Sequence, residues 1–194
     1  MKEKTEWMTN LRGSRLVHKT DGRITFRGLI DTLEAEVIEA QVLAAREHAS
    51  ENTDGINDEK KVCLQLDEVL DYLRAIMAAE VKETPLNPPI LFGMDSDELH
   101  KRSHEVFPKD DNGAPLFPSY TQGAIAARIN TLRAKVREAE LFAVSIFTPP
   151  AIAENGKTCE PEASQGETIK REDIVLGLNR LSSALWWLYC DYII

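Results

Sequence analysis

The stretch at 121–147, TQGAIAARINTLRAKVREAELFAVSIF, constrains this chain more than any other. Ile125, Ile129, Leu132, Val136, Ala139, Ala143 and Ile146 recur at alternating spacings of four and three. A helix gathers such positions into one seam, whereas a strand scatters them over both faces. A helix with a seam of this length must bury it against other helices. Arg133, Arg137 and Glu140 repeat the same spacing, so they form a second stripe roughly 90–120° around the helix from the seam. That stripe has two readings. It is a solvated face with an Arg137–Glu140 pair worth about 0.2–0.5 kcal/mol, or a set of charges held at the edge of an interface, ready for an anion.

The same period recurs along the chain. Leu29, Leu33, Val37, Ala40 and Ala44 predict a helix over 29–46, with Asp31 in its first turns. Val62, Leu66, Val69, Leu73 and Ile76 predict a second over 59–81, and Ile174, Leu178, Leu181, Leu185, Leu188 and Tyr192 a last one from 171. Asp95 with Glu98 three residues on resembles a capping box that opens a short helix. Residues 1–15 have no period and are expected to form a flexible N-terminus, and Asp21-Gly22 reads as a turn beside a short extended piece. The segment 148–170 is dense in Pro, Gly, Glu and Ser and is expected to be a long mobile loop. With no strand signal of any length, the expectation is an all-α fold. Residues 16–194 would form a single domain, a ferritin-like up-down bundle of four to five helices that is oligomeric. The oligomer is expected because ALWWLYC at 184–190 is apolar on nearly every side, which predicts cover by a partner subunit or a large apolar ligand.

A net charge of −9, from 23 Lys+Arg against 32 Asp+Glu, excludes general binding to nucleic acid or an anionic membrane, both of which need basic surface. Cys63, Cys159 and Cys190 contain no Cys-x-x-Cys pair, so neither a disulfide framework nor a cysteine metal site is expected. A reducing cytoplasm fits best. The charged N-terminus suggests no secretory signal, and no apolar run approaches the ~18 residues of a membrane span. His100 and His104, four apart, suit either two metal-facing imidazoles or ordinary surface histidines. There is no Walker loop, no dinucleotide glycine fingerprint and no nucleophile–histidine–acid pattern. What remains is a cationic and polar set on helix edges, Lys19, Arg23, Arg27, Arg133, Arg137, Asn179 and Arg180, able to cradle a polyphosphate if the bundle gathers it.

Three stretches, KTDGRITFRGLID, MDSDELHKRSH with RINTLRAKVREAE, and REDIVLGLNRLSS, resemble in order blocks of the ethanolamine-utilisation corrinoid adenosyltransferases. The chain is more distantly similar to the propanediol-utilisation type, through Lys19-x-Asp21-x-Arg23 followed by Asp31, Arg-x-x-x-Arg-x-Ala-Glu at 133–140, and Asn179-Arg180-Leu181-Ser182. The resemblance implies transfer of the 5′-deoxyadenosyl group of ATP, with Mg²⁺, to cob(I)alamin as substrate, at a site between subunits of a homotrimer. It implies that Lys19, Arg137, Glu140 and Asn179, with the adjacent Arg180, bind ATP, that Asp31 pairs near the corrinoid with Arg133 or Arg137, and that Phe117 displaces the axial ligand below cobalt. It implies a flavoprotein or similar reductant as partner and residence in the cytoplasm or in a bacterial microcompartment, while the spacing of the cysteines leaves no metal site expected in the protein. The glycine- and threonine-rich ATP loop of the propanediol type has no counterpart here, so weaker ATP binding is expected; the histidine–cysteine–cysteine metal motif of the ethanolamine type has none either, so that family's metal requirement is not carried over. A non-catalytic corrinoid- or nucleotide-binding module and a structural helical subunit remain as alternatives.

Overall fold

The computed structural model of the chain describes residues 5–50, 56–110, 112–148 and 169–194. A hairpin of β1 (Met8–Arg12) and β2 (Arg15–His18) leads into α1 (Gly22–Ser50), α2 (Ile56–Lys82), the short α3 (Ser96–Glu105), α4 (Gly123–Phe147) and α5 (Glu172–Ile193). The four long helices pack as a bundle, α4 on both α5 and α1, α2 on α1 and α5, with α3 laid against α5. The expected all-α bundle is therefore present, with one small sheet added. Cys159 and nearly all of the loop expected at 148–170 lie outside the described residues.

The seam of α4 behaves as its period demands, since Ile125, Ile129, Leu132, Val136, Ala139 and Ala143 are all buried. Ile146 is half-buried and Phe147 turns inward instead. The periodic positions of α2 and α5 are buried likewise, apart from the half-buried Tyr192.

Two local expectations are overturned. The first helix starts at Gly22, not at Leu29, because Asp21 caps it: its Oδ1 accepts the Arg23 N–H at 2.9 Å. Gly22 is needed there, since a Cβ would meet Ile146 Cγ2 at 2.7 Å. One turn on, Phe26 is buried and meets the Phe147 ring edge-to-face, centroids 5.7 Å apart. The second correction concerns residues 1–15. Met8–Arg12 pairs antiparallel with Arg15–His18, Met8 opposite His18, around Gly13 at φ 53°. Of the hairpin's residues only Leu11 is buried, so no alternation announces it.

Ion pairs hold this hairpin down. Arg12 pairs with Glu83, Arg27 donates to the Leu11 carbonyl at 2.9 Å, and the fully buried Glu80 accepts from both Arg23 and Arg27. A carboxylate without solvent is costly unless it is both paired and hydrogen-bonded, and two guanidiniums meet that demand. Arg23 and Arg27 are thus structural, and the polyphosphate role offered to them from sequence is withdrawn. Another correction falls on ALWWLYC. Ala184, Leu185, Leu188, Tyr189 and Cys190 are buried within this one chain, and Trp187 stacks on Phe92 at 5.6 Å. The packing of α4 and α3 on α5, with Phe92 ahead of α3, supplies much of the cover that sequence assigned to a partner, and Trp186 and Trp187 stay half-buried, each bordering a surface depression.

Candidate functional site

The cleft lies where α3, α4 and α5 meet the loop ahead of α4, with a volume of about 630 Å³. Arg133, Arg137 and Glu140 stand on one wall, Asn179 and Trp186 on a second, and Phe107, Phe117, His100 and His104 around the rest. Because α4 buries its seam, the stripe beside the seam is left at the helix edge, and the packing of α5 turns that edge into a wall of the cleft.

One side is polar. Glu140 Oε1 accepts from Asn179 Nδ2 at 2.9 Å, and Asn179 Oδ1 accepts from Arg180 Nη1 at 2.7 Å. Arg180 reaches on to Ser96 Oγ at 3.1 Å, so it ties α5 to the start of α3. Among the described residues Arg133 and Arg137 are ion-paired to no carboxylate, and the intrahelical Arg137–Glu140 pair does not form. Burial and the neighbouring Arg137 together hold the Arg133 guanidinium below its ordinary pKa. Its only described partners are the Asn130 Oδ1 at 3.1 Å and the Trp186 ring, 5.4 Å from the guanidinium carbon to the ring centroid. Two cations in a cleft without carboxylate partners can receive an anion.

The rest of the lining includes an aromatic cluster. Phe107 meets Phe117 edge-to-face at 6.4 Å and tilts over Trp186 at 6.0 Å, while Phe117 is 70% exposed. Beyond the wall, Cys190 is fully buried, and its thiol is pushed up to about 12 by that burial despite the pull of Arg133.

Of the residues singled out from sequence, Arg133, Arg137, Glu140, Asn179 and Phe117 line this one cleft, and Arg180 joins it through Asn179. Lys19 and Asp31 are not on its walls. Lys19, in the turn after β2, borders a separate depression with Thr5, Glu6, Met8 and Thr9, and Asp31 is exposed on α1. Trp186 and Phe107 join the site only through the fold. Trp186 had a signal in the over-apolar ALWWLYC; Phe107, just past a short helix, had none. The His100 and His104 rings touch edge-to-face, centroids 4.7 Å apart, at the rim of the cleft. Among the described residues no group of three or more His, Cys, Asp or Glu is placed to hold a metal.

Comparison with known proteins bears on this arrangement. The chain is 28% identical over 184 residues to the corrinoid adenosyltransferase EutT of Salmonella typhimurium, covering 95% of this chain and 58% of that protein. It is 27% identical over the same length to EutT of Escherichia coli, again covering 58% of that protein. The chain thus spans little more than half the length of these relatives. Among solved structures, a phenylalanine-to-alanine variant of a PduO-type ATP:corrinoid adenosyltransferase from Lactobacillus reuteri, complexed with cobalamin and ATP, superposes with a TM-score of 0.60 at 16% identity, covering 97% of this chain and 90% of that one. The phenylalanine-to-histidine variant of the same protein gives 0.59 at 17%. At such identity the likeness carries the fold alone. The sequence profile of the cobalamin adenosyltransferases runs from residue 1 to residue 192, and this chain belongs to that family.

Proposed function

We propose that this chain transfers the 5′-deoxyadenosyl group of ATP to the Co(I) of a reduced corrinoid, in ethanolamine utilisation or a related pathway of the cytoplasm. The observation that carries the reading is the mixed lining of the cleft: Arg133 and Arg137 without carboxylate partners among the described residues, and an aromatic cluster of Phe107, Phe117 and Trp186, with Arg133 over the Trp186 ring. A triphosphate suits the arginines and the flat, largely apolar face of a macrocycle suits the aromatic cluster.

The chemistry asks little of acid–base groups. An electron pair on Co(I) attacks C5′ of the nucleotide; the Co–C bond forms as the C5′–O bond breaks, and the triphosphate leaves with the bonding pair. No proton moves, so no general base is required. Arg133 and Arg137 would hold the departing triphosphate as its charge grows, and the nucleotide and corrinoid would react because they are held in line. Asn179, fixed by Glu140 and Arg180, would orient the nucleotide. Phe117 would press on the lower face of the corrinoid. ATP would enter with Mg²⁺, whose remaining ligands would be phosphate oxygens and water, as is usual for that ion.

Lys19 and Asp31 stand outside the cleft, and we propose that a neighbouring copy in a homotrimer supplies them. The test of the reaction is direct. With millimolar ATP, Mg²⁺ and chemically reduced cob(I)alamin, adenosylcobalamin should form, seen in the visible corrinoid spectrum. Corrinoid binding without product would make the chain a binding module, and failure to bind either ligand would leave a shared fold without the activity.

A further inference from the structure

We propose that Tyr189 is a positioning residue, a single buried side chain that sets both the Phe117 loop and the Arg133 guanidinium, so that the two walls of the cleft keep one spacing. The inference rests on the adenosyl-transfer reading above and names residues which that reading does not use.

The connections are continuous. Tyr189, on α5, is fully buried, and its hydroxyl donates to Gln122 Oε1 at 2.7 Å. Gln122 is the residue just before α4, and its amide is bonded on both ends. The same Oε1 accepts the Ser119 N–H at 2.7 Å, and Nε2 donates to the Phe117 carbonyl at 3.2 Å. The short loop that presents Phe117 is thereby hydrogen-bonded to the core through this hydroxyl, beside the ring contacts that Phe107 makes with Phe117 and Trp186. On its other side the Tyr189 ring stacks on Trp186, centroids 5.4 Å apart and planes at 22°, and Trp186 carries Arg133 on its face.

A tyrosine in a core needs a partner for its hydroxyl, and any acceptor would satisfy that need. The choice of acceptor is what points to positioning. Gln122 is half-buried beside the cleft, and a phenylalanine in place of Tyr189 would pack as well while leaving the loop without its hydrogen bond to α5. Reaction in line between two held ligands tolerates small errors badly, so a fixed distance between the Phe117 loop and Arg133 would matter at the reacting step more than in nucleotide binding.

The test compares Tyr189→Phe, Gln122→Ala and the double variant with the parent. Amide exchange is read first and needs no activity. In Tyr189→Phe the hydrogen-bonded amides of Ser119, Thr121 and Gln122 should exchange about fivefold to tenfold faster, the effect of one lost net hydrogen bond. In turnover, kcat should fall about tenfold with KM for ATP within about twofold of the parent, since the loss falls on the transition state and not on binding. Gln122→Ala, whose side chain is outside the core, should reproduce both effects, and the double variant should lose no more than the larger single. Parent exchange rates in Tyr189→Phe overturn the proposal. So does faster exchange with parent kcat, or a rise in KM with kcat unchanged, or full additivity. A parent protein that makes no adenosylcobalamin is a different failure, visible before any substitution, and it removes the catalytic role together with the functional reading.

Discussion

Arg137 is the residue at which the two readings of the charged stripe part. Its candidate partner within the helix, Glu140, bonds Asn179 instead, and the guanidinium stays exposed in the cleft. Replacing it by lysine keeps the charge and loses the planar fork that grips phosphate oxygens at two points. Arg137→Lys should therefore lower kcat/KM for ATP roughly tenfold to a hundredfold, as expected for a charge-assisted bond of about 1.5–3 kcal/mol. The fold should be indifferent, with a stability change within about 0.5 kcal/mol, since the side chain is exposed and unpaired among the described residues. Steady-state kinetics beside a thermal melt separates the two, and parent turnover in both Arg137→Lys and Arg137→Ala would return the stripe to plain surface. At this scale the residue types were legible in the sequence, but their partners were not. Arg23 and Arg27 look as well suited to phosphate as Arg137, and only the burial of Glu80 beside them assigns them elsewhere.

At the scale of elements, the start of α5 decides where Asn179, Arg180 and Trp186 stand. Arg171 and Asp173 lock it, Arg171 donating to Asp173 at 2.9 and 3.0 Å and to the Ala79 and Thr84 carbonyls, while Asp173 accepts the Leu86 N–H at 2.8 Å. Burial alone would raise the Asp173 pKa, but these hydrogen bonds and the Arg171 charge outweigh it and leave it below the ordinary value. A depressed folded pKa means stability that is present above the unfolded value near ~3.9 and lost as pH falls through the folded one. Asp173→Asn should therefore melt below the parent at pH 7, with the gap closing as pH drops under about 4. A gap that stays constant across that range would mean that shape, not charge, is what Asp173 contributes. Helices and their seams were legible from period, whereas the cap at Asp21 and the hairpin were not. One rests on a single side-chain bond, and the other buries a single leucine and is held by pairs to residues far along the chain.

At the scale of the whole molecule, Lys19 and Asp31 are the unplaced part of the site. If a neighbouring copy supplies Asp31, an Asp31→Ala chain and an Arg137→Ala chain should each be nearly inactive alone and partly active when coexpressed. Random pairing of equal amounts leaves about one site in four with both residues intact, so activity near a quarter of the parent is expected. Light scattering should give a trimer for the same preparation. No recovery on mixing would confine the site to one chain, whatever the oligomeric state.

The sequence by itself determined the four long helices, their buried faces, and the presence of Arg133, Arg137 and Glu140 beside the α4 seam, because a 3.6-residue period is a local property that each segment carries alone. It also carried the resemblance that the family profile bears out. Tertiary structure decided which charges pair, how ALWWLYC is covered, and that Trp186 and Phe107 meet Arg133 and Phe117 in one cleft. Those outcomes depend on distances between residues far apart in the chain, set by how helices cross and by which buried charge must find a partner, and no local pattern encodes them.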